Sequence, residues 1–284
     1  MQNRRPANRG ANSQPPAPQQ GKSAPASPPA QVVKPESNFT EIKALLLQKA
    51  DAIRRVIPQD VQITAEGLIQ SALQYMSSAK DRRLLVCTPK SVLYSVITCA
   101  ALGLDFIDGQ AHLISMEKKK NVDGQWTVEY IYCAFWPGYK GLLEVAGRAG
   151  YLMDPHEVKA NDIYDCFLGT RNEVIHNVGF GERGDTQGFY CVVRNAANHV
   201  VRIERLCKAD VDAVKQDTDP WKKHYDSMGL KTVVKRAFKF VPKTTRATKL
   251  MARVEEKLDA GEEDIDLVEK DIMAVKAAES TTAV

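Results

Sequence analysis

Two sets of side chains in this chain have the types and spacing to do chemistry. The first is acidic: His156-Glu157, followed by Asp162 and Asp165 within Asn161-Asp162-Ile163-Tyr164-Asp165. Carboxylates this close can share a divalent cation and activate water against a phosphodiester, which makes them a candidate metal-dependent nuclease centre. Turn capping by the same acids is the competing reading. The second set is basic. Lys231, Lys235 and Lys239 recur at i, i+4 and i+8, the spacing that lines up side chains on one side of a helix. Arg236 and Lys243 widen that stripe, and Val233, Val234, Ala237 and Phe238 supply an apolar side for docking. Residues 231–250 hold seven Lys and Arg and no acid. A stripe of this kind repels itself unless an anion neutralises it, although an isolated one can simply be a solvated face.

The stripe has company. Lys118, Lys119 and Lys120 are consecutive, and the stretch Trp136–Gly150 (WPGYKGLLEVAGRAG) sets Tyr139 and Lys140 between Gly138 and Gly141, with Arg148 two helical turns after Lys140. Glycine removes side-chain bulk where backbone must come close to a neighbour, and a helix start offers N–H groups to an anion. On that reading Lys140 and Arg148 face one groove. Phe135, Trp136, Tyr139, Trp221 and Tyr225 lie near these charges. Aromatic faces beside cations suit single strands, whose bases are free to stack; core anchoring is the alternative, most of all for Trp221. Three basic features with interleaved aromatics point to a nucleic-acid partner.

Other chemistries find no support. The sequence has no G-x-x-x-x-G-K-[ST] phosphate loop, no G-x-S-x-G and no H-E-x-x-H, and its five histidines are far apart. The six cysteines are scattered without a C-x-x-C, most of them in apolar runs, as expected of small buried residues in a reducing cytoplasm. There is neither an apolar leader nor a run long enough to span a bilayer, so no membrane association is expected.

These residues must be positioned by elements. The spacing predicts a helix over residues 39–57 capped by Ser37 or Asn38, a second capped by Thr64, and a third with Thr88 as N-cap, Pro89 in the first turn and Gly103 as stop. The period then changes to alternation. AHLISMEKKK and TVEYIYCAFW flank an Asp-Gly turn, which predicts a β-hairpin with the three lysines close to its tip, and Trp136–Gly150 follows as a helix start. EVKAN, NEVIHNV, QGFYCVVRN and HVVRIERL are strand-like, the last two pairing across Ala196-Ala197-Asn198. Helical spacing returns after Lys208, with Pro242 separating the last two helices. Helices, then a strand-rich middle forming a small, mostly antiparallel sheet, then helices again define an α+β fold.

Charge and composition divide the chain further. Residues 1–36 contain eight of the fourteen prolines, and residues 1–35 carry five Lys and Arg and no acid; this reads as a disordered basic tail. Residues 37–250 form the expected core. Residues 251–284 are the acidic tail, with ten acids against three lysines from 254 onward, able to dock on a partner, compete for the basic surface or aid solubility.

The ordered set of motifs is familiar. LGLDFIDGQAHLI, GYKGLLEVAGRAG and PWKKHYDSMGLKTVVKRAFKFVP together resemble the RecT family of phage and prophage single-strand annealing recombinases, over about residues 40–250. The matching positions are Leu102-Gly103-Leu104, Gly138 to Gly141, Arg148 to Gly150, Pro220-Trp221, Met228 and Lys231-Thr232-Val233; Phe135-Trp136-Pro137 stands where the family more often has a polar strand end. The resemblance implies a protein that binds single-stranded DNA and anneals complementary strands through a duplex intermediate without ATP, as an oligomeric ring or helical filament. It also implies a phage exonuclease partner, with a host single-strand-binding protein as a further one, in the cytoplasm of a bacterial host. It would make no bond, so it would not be an enzyme, and it would require no cofactor, with an effect of Mg²⁺ on annealing left open. The expected DNA-binding residues are Lys118, Lys119, Lys120, Tyr139, Lys140, Arg148, Lys231, Lys235, Arg236, Lys239 and Lys243. The alternatives are a sequence-nonspecific nucleic-acid-binding assembly protein without annealing activity, and the nuclease.

Overall fold

Apolar residues recur at helical spacing through the first third of the chain, and in the computed structural model, which describes residues 35–260, they pack as a helical layer. It consists of α1 (Pro35–Gln48), α2 (Ala50–Val56), α3 (Ala65–Ser78), a 3-10 turn at Arg82–Val86 and α4 (Pro89–Leu102). Ile42, Leu46, Ile53, Leu68, Met76, Val92, Val96 and Leu102 form its buried interior. The Thr64 hydroxyl accepts from Gly67 N at 3.1 Å, as its capping position requires. Gly103 takes the left-handed conformation (φ 61°) that ends α4. Two expectations change. The first helix is divided at Lys49, and Asn38 lies inside α1 rather than capping it. Its side-chain amide donates instead to the carbonyls of Leu85 (2.7 Å) and Cys87 (3.0 Å), tying α1 to the 3-10 turn.

The hairpin forms as the alternation requires: β1 (Ala111–Val122) pairs antiparallel with β2 (Gln125–Pro137) around Asp123-Gly124, both at positive φ. Its base packs on α4. Cys133 N donates to Ser91 Oγ at 2.8 Å, and Ser95 Oγ donates to Cys133 O at 3.2 Å, so the outward backbone groups of β2 are satisfied by helix serines. Its distal half stands free of the core, with Val122, Trp126 (70% exposed), Val128 and Tyr130 in solvent.

α5 (Tyr139–Arg148) leads into a three-stranded antiparallel sheet in the order β3 (Tyr151–Lys159), β6 (Thr186–Asn195), β7 (Val200–Cys207). The central strand β6 reads Phe189-Tyr190-Cys191-Val192-Val193 because both its faces are covered. Phe189, Cys191 and Val193 join the main core, and Tyr190 and Val192 join a second cluster with Val158 and Ile203. A separate ribbon, β4 (Ile163–Phe167) with β5 (Glu173–Asn177), lays Tyr164, Cys166 and Val174 on that second cluster. The strands thus make three small antiparallel sheets among the described residues, and β4 arises where the sequence suggested only a loop of acids.

The chain ends in α6 (Lys208–Asp212), α7 (Asp219–Lys223), α8 (Tyr225–Phe238) and α9 (Arg246–Ala260). Trp221 is a core anchor. α8 lies against the three-stranded sheet at Gly229, where any Cβ would collide with the Phe189 ring. The expected boundary at residue 250 falls inside α9, which buries Leu250, Met251 and Val254. The acidic segment beyond residue 260 and the basic segment before residue 35 lie outside the described residues.

Candidate nucleic-acid interface

The acidic candidate resolves first, and differently from the sequence expectation. Arg183 stands between the carboxylates: its Nη1 donates to Glu157 Oε1 at 2.9 Å, and its Nη2 and Nε donate to Asp162 at 2.7 and 3.0 Å. Asp162 also accepts from Lys159 N (2.7 Å) and lies 3.1 Å from His176 Nε2. The Asp162 side chain is 0% exposed, and the Arg183 hydrogen bonds hold its pKa far below the usual carboxylate range despite burial. Asp165 stands exposed on the outer face of β4, and His156 pairs with Asp154. A guanidinium already occupies the space a metal would need, and the described residues include no His/Cys/Asp/Glu group able to hold one. The cluster is an anchor that fixes the β4–β5 ribbon to the sheet.

The glycine-flanked entrance of α5 is also explained from inside the fold. Gly138 N donates to Gln110 O at 2.9 Å. A Cβ on Gly138 would strike the Gly109 carbonyl, and one on Gly141 the Gln110 carbonyl. Both glycines therefore serve the approach of the 109–110 backbone to the helix start. Tyr139 is half-buried against the core, and Lys140 is exposed. Arg148 points elsewhere: its side chain is 14% exposed and its Nη2 donates to the Leu102 carbonyl, closing the end of α4 over Gly103.

The basic stripe of α8 splits. Lys235 pairs with Glu255 (2.9 Å) and Asp259 (3.0 Å), and Lys239 with Asp259 (3.3 Å). Arg236 reaches Glu204 at 3.3 Å, and Lys243 donates to the carbonyls of Phe238 and Val241 at 2.5 and 2.6 Å. The counter-charge missing from residues 231–250 comes from α9 and β7, from 20 or more residues away in sequence. Among the described residues Lys231 and Lys243 make no ion pair, and Lys243 is held by its two carbonyls. Lys231 is half-buried, its Nζ 5.8 Å from the centre of the Trp136 ring. Burial, and then Lys235, push its pKa below the usual lysine value, with Glu255 opposing.

Trp136 is the cross-strand partner of His112, whose Nδ1 lies 3.3 Å from Tyr75 Oη. Burial, and then Lys231, lower the His112 pKa. The residues at the hairpin base are thus Tyr75, His112, Trp136 and Lys231, a signal the sequence carried only as scattered aromatics. Strand alternation places His112, Met116, Lys118 and Lys120 of β1 on the same face, with Trp136, Tyr132 and Tyr130 opposite them on β2. Lys119 falls on the other face, 3.5 Å from Glu117.

An α+β domain that presents a desolvated lysine, aromatic rings and a lysine-bearing hairpin along one face has the equipment of a nucleic-acid-binding protein. Comparison with known proteins agrees. The RecT family profile matches residues 66–270. Protein RecT of Escherichia coli (strain K12) is 25% identical over 189 residues, covering 63% of this chain and 67% of that protein. The chain belongs to the RecT family, and with it to the DNA-binding proteins of recombination by single-strand annealing.

Proposed function

We propose that this protein binds single-stranded DNA along the hairpin face headed by Lys231 and Trp136, and anneals complementary strands without ATP. The observation that carries the reading is Lys231: a half-buried cation beside a half-buried aromatic, with no ion pair among the described residues, while its helical neighbours four and eight residues on are paired. A backbone phosphate supplies the missing charge, and Trp136, Tyr130 and Lys140 extend the track around it. Phosphate contacts fix the strand without reading its sequence; discrimination comes from base pairing with the second strand. Side-by-side protomers in a ring or filament hold many nucleotides in register and lower the entropic cost of aligning that strand. No bond is made or broken, so no catalytic residue and no nucleotide are called for; Mg²⁺ acts, if at all, by screening strand repulsion. The core of residues 37–250, extended through α9, is the annealing unit, and a phage exonuclease and a host single-strand-binding protein are its partners in the bacterial cytoplasm. The described residues contain no helix long and apolar enough to cross a membrane.

The test is annealing of two complementary fluorescent oligonucleotides in the absence of nucleotide, with Lys231→Ala beside Lys235→Ala. Wild type accelerates annealing, Lys231→Ala loses at least tenfold, and Lys235→Ala loses much less because its charge is already neutralised. Tight strand binding without acceleration identifies an assembly protein instead, and equal losses in the two variants reject the assignment of the track.

A further inference from the structure

On the side of the fold where α2, α4 and α9 meet, a cleft of about 390 Å³ is lined by Arg55, Arg148 and Arg246 together with Thr245, Ala247 and Asp60. Each arginine comes from a different part of the chain, and only the tertiary structure brings them together. We infer that this cleft is a binding site for a terminal phosphate group, a phosphomonoester or pyrophosphate.

Four observations converge. First, three guanidiniums line one cleft, with Asp60 the one carboxylate in its lining and Glu144 beside Arg148. A phosphomonoester carries about −1.5 to −2 near neutral pH, and guanidinium forks suit its oxygens. Second, Arg148 Nε is buried without a hydrogen-bond acceptor; the nearest carboxylate oxygen, Glu144 Oε1, is 3.5 Å away. A buried donor left unsatisfied is costly, and an anion in the cleft relieves it. Third, the cleft is walled by the first turn of α9, a fifteen-residue helix. Thr245 Oγ1 accepts from Thr248 N at 3.2 Å, so the cap supplies the third helical N–H and leaves those of Arg246 and Ala247 at the cleft. Fourth, Arg55 is exposed and makes no ion pair among the described residues, although its neighbour Arg54 is held by Asp51 and Glu66. The volume is at the lower end of the roughly 300–1,000 Å³ of small-ligand sites, sized for a phosphate with little attached. The cleft lining includes no residue of the strand-binding track: Arg148 closes α4, and Lys231 stands against the hairpin.

Calorimetric titration of the full chain with pyrophosphate tests it. Arg148→Ala would uncap α4 and confound the result, so the diagnostic variant is Arg55→Gln, whose side chain the fold does not use. Wild type binds saturably with one site; Arg55→Gln binds about tenfold more weakly, the loss expected for one charge-assisted contact, at an unchanged melting temperature without ligand. Lys231→Ala retains pyrophosphate binding even where strand binding is lost, which separates this site from the proposed function. Competition with 5′-phosphorylated and 5′-hydroxyl oligonucleotides then names the source. Displacement by the phosphorylated strand alone marks a strand end, and displacement by neither marks a small phosphate compound. Displacement by both makes the cleft part of the diester track and overturns the proposal, as does absence of saturable binding or an Arg55→Gln variant that binds like wild type.

Discussion

Lys231 and Lys235 are one helical turn apart and chemically identical, yet their surroundings give them opposite roles. Glu255 and Asp259 turn Lys235 into a structural tie, while Lys231 faces Trp136 without an ion pair among the described residues. The same contrast separates Asp162 from Asp165, three residues apart: one is enclosed by Arg183 and His176, the other exposed. Asp162→Asn leaves Arg183 with a buried, half-neutralised partner, so a stability loss on the order of 3 kcal/mol is expected, read as a lower urea midpoint without loss of strand affinity. Because the Asp162 pKa is depressed on folding, its contribution is present above about pH 4, the ordinary carboxylate value, and fades only as pH falls toward the folded value. His112 acts at milder pH. Its folded pKa is also depressed, so the unfolded chain binds the proton more readily, and stability falls as pH drops below about 6.5. The melting temperature should therefore fall less between pH 7.5 and pH 5.5 in His112→Gln than in wild type; equal falls would remove His112 from the acid response.

At the scale of elements, the hairpin and α5 form one device. β2 runs into Gly138, and the 109–110 backbone packs against the helix start so closely that a methyl at 138 cannot fit. Gly138→Ala should cost roughly 2 kcal/mol through backbone displacement and lower annealing by shifting β2, and with it Trp136, against Lys231. Thermal unfolding and the annealing assay report the two effects separately. The free half of the hairpin adds a two-sided test. Lys118→Ala/Lys120→Ala removes charge from the Trp136 face and should weaken single-strand affinity about tenfold at low salt, whereas Lys119→Ala, from the Glu117 face, should change it little. Equal effects would mean that the strand does not follow one face. Of the β4–β5 ribbon, the strand-like run NEVIHNV carries β5, whereas β4 is hidden because Asn161-Asp162-Ile163-Tyr164-Asp165 mixes acids into a short strand; only Tyr164 and Cys166 face inward, too few for a period to show.

For the whole molecule, the net charge of +4 says little, since three of the seven cations of residues 231–250, Lys235, Arg236 and Lys239, are paired with carboxylates within the fold. Neutralising six phosphates per protomer corresponds to a single-strand salt slope of about −4. The track of Lys118, Lys120, Lys140 and Lys231 corresponds to about −3 per protomer. Fluorescence titrations between 50 and 300 mM salt distinguish the two, and a flat dependence would reject phosphate binding on this face.

The sequence by itself determined the α+β class, the Asp-Gly hairpin, the Thr64 and Gly103 helix boundaries and the pairing of the last two strands, because each depends on neighbours within a few residues or on hydrophobic period. It also carried the family, through the order of its motifs. It could not apportion the charges. Whether a lysine is a ligand or a tie depends on which carboxylate lies within about 4 Å in space. Here those carboxylates come from α9 and β7, and the arginines of the α2–α4–α9 cleft come from residues nearly two hundred positions apart. Tertiary packing decided that Arg148 closes α4, that Gly138 and Gly141 accommodate backbone rather than an anion, and that Lys231 stands beside Trp136, since electrostatics acts through space and desolvation, not along the chain.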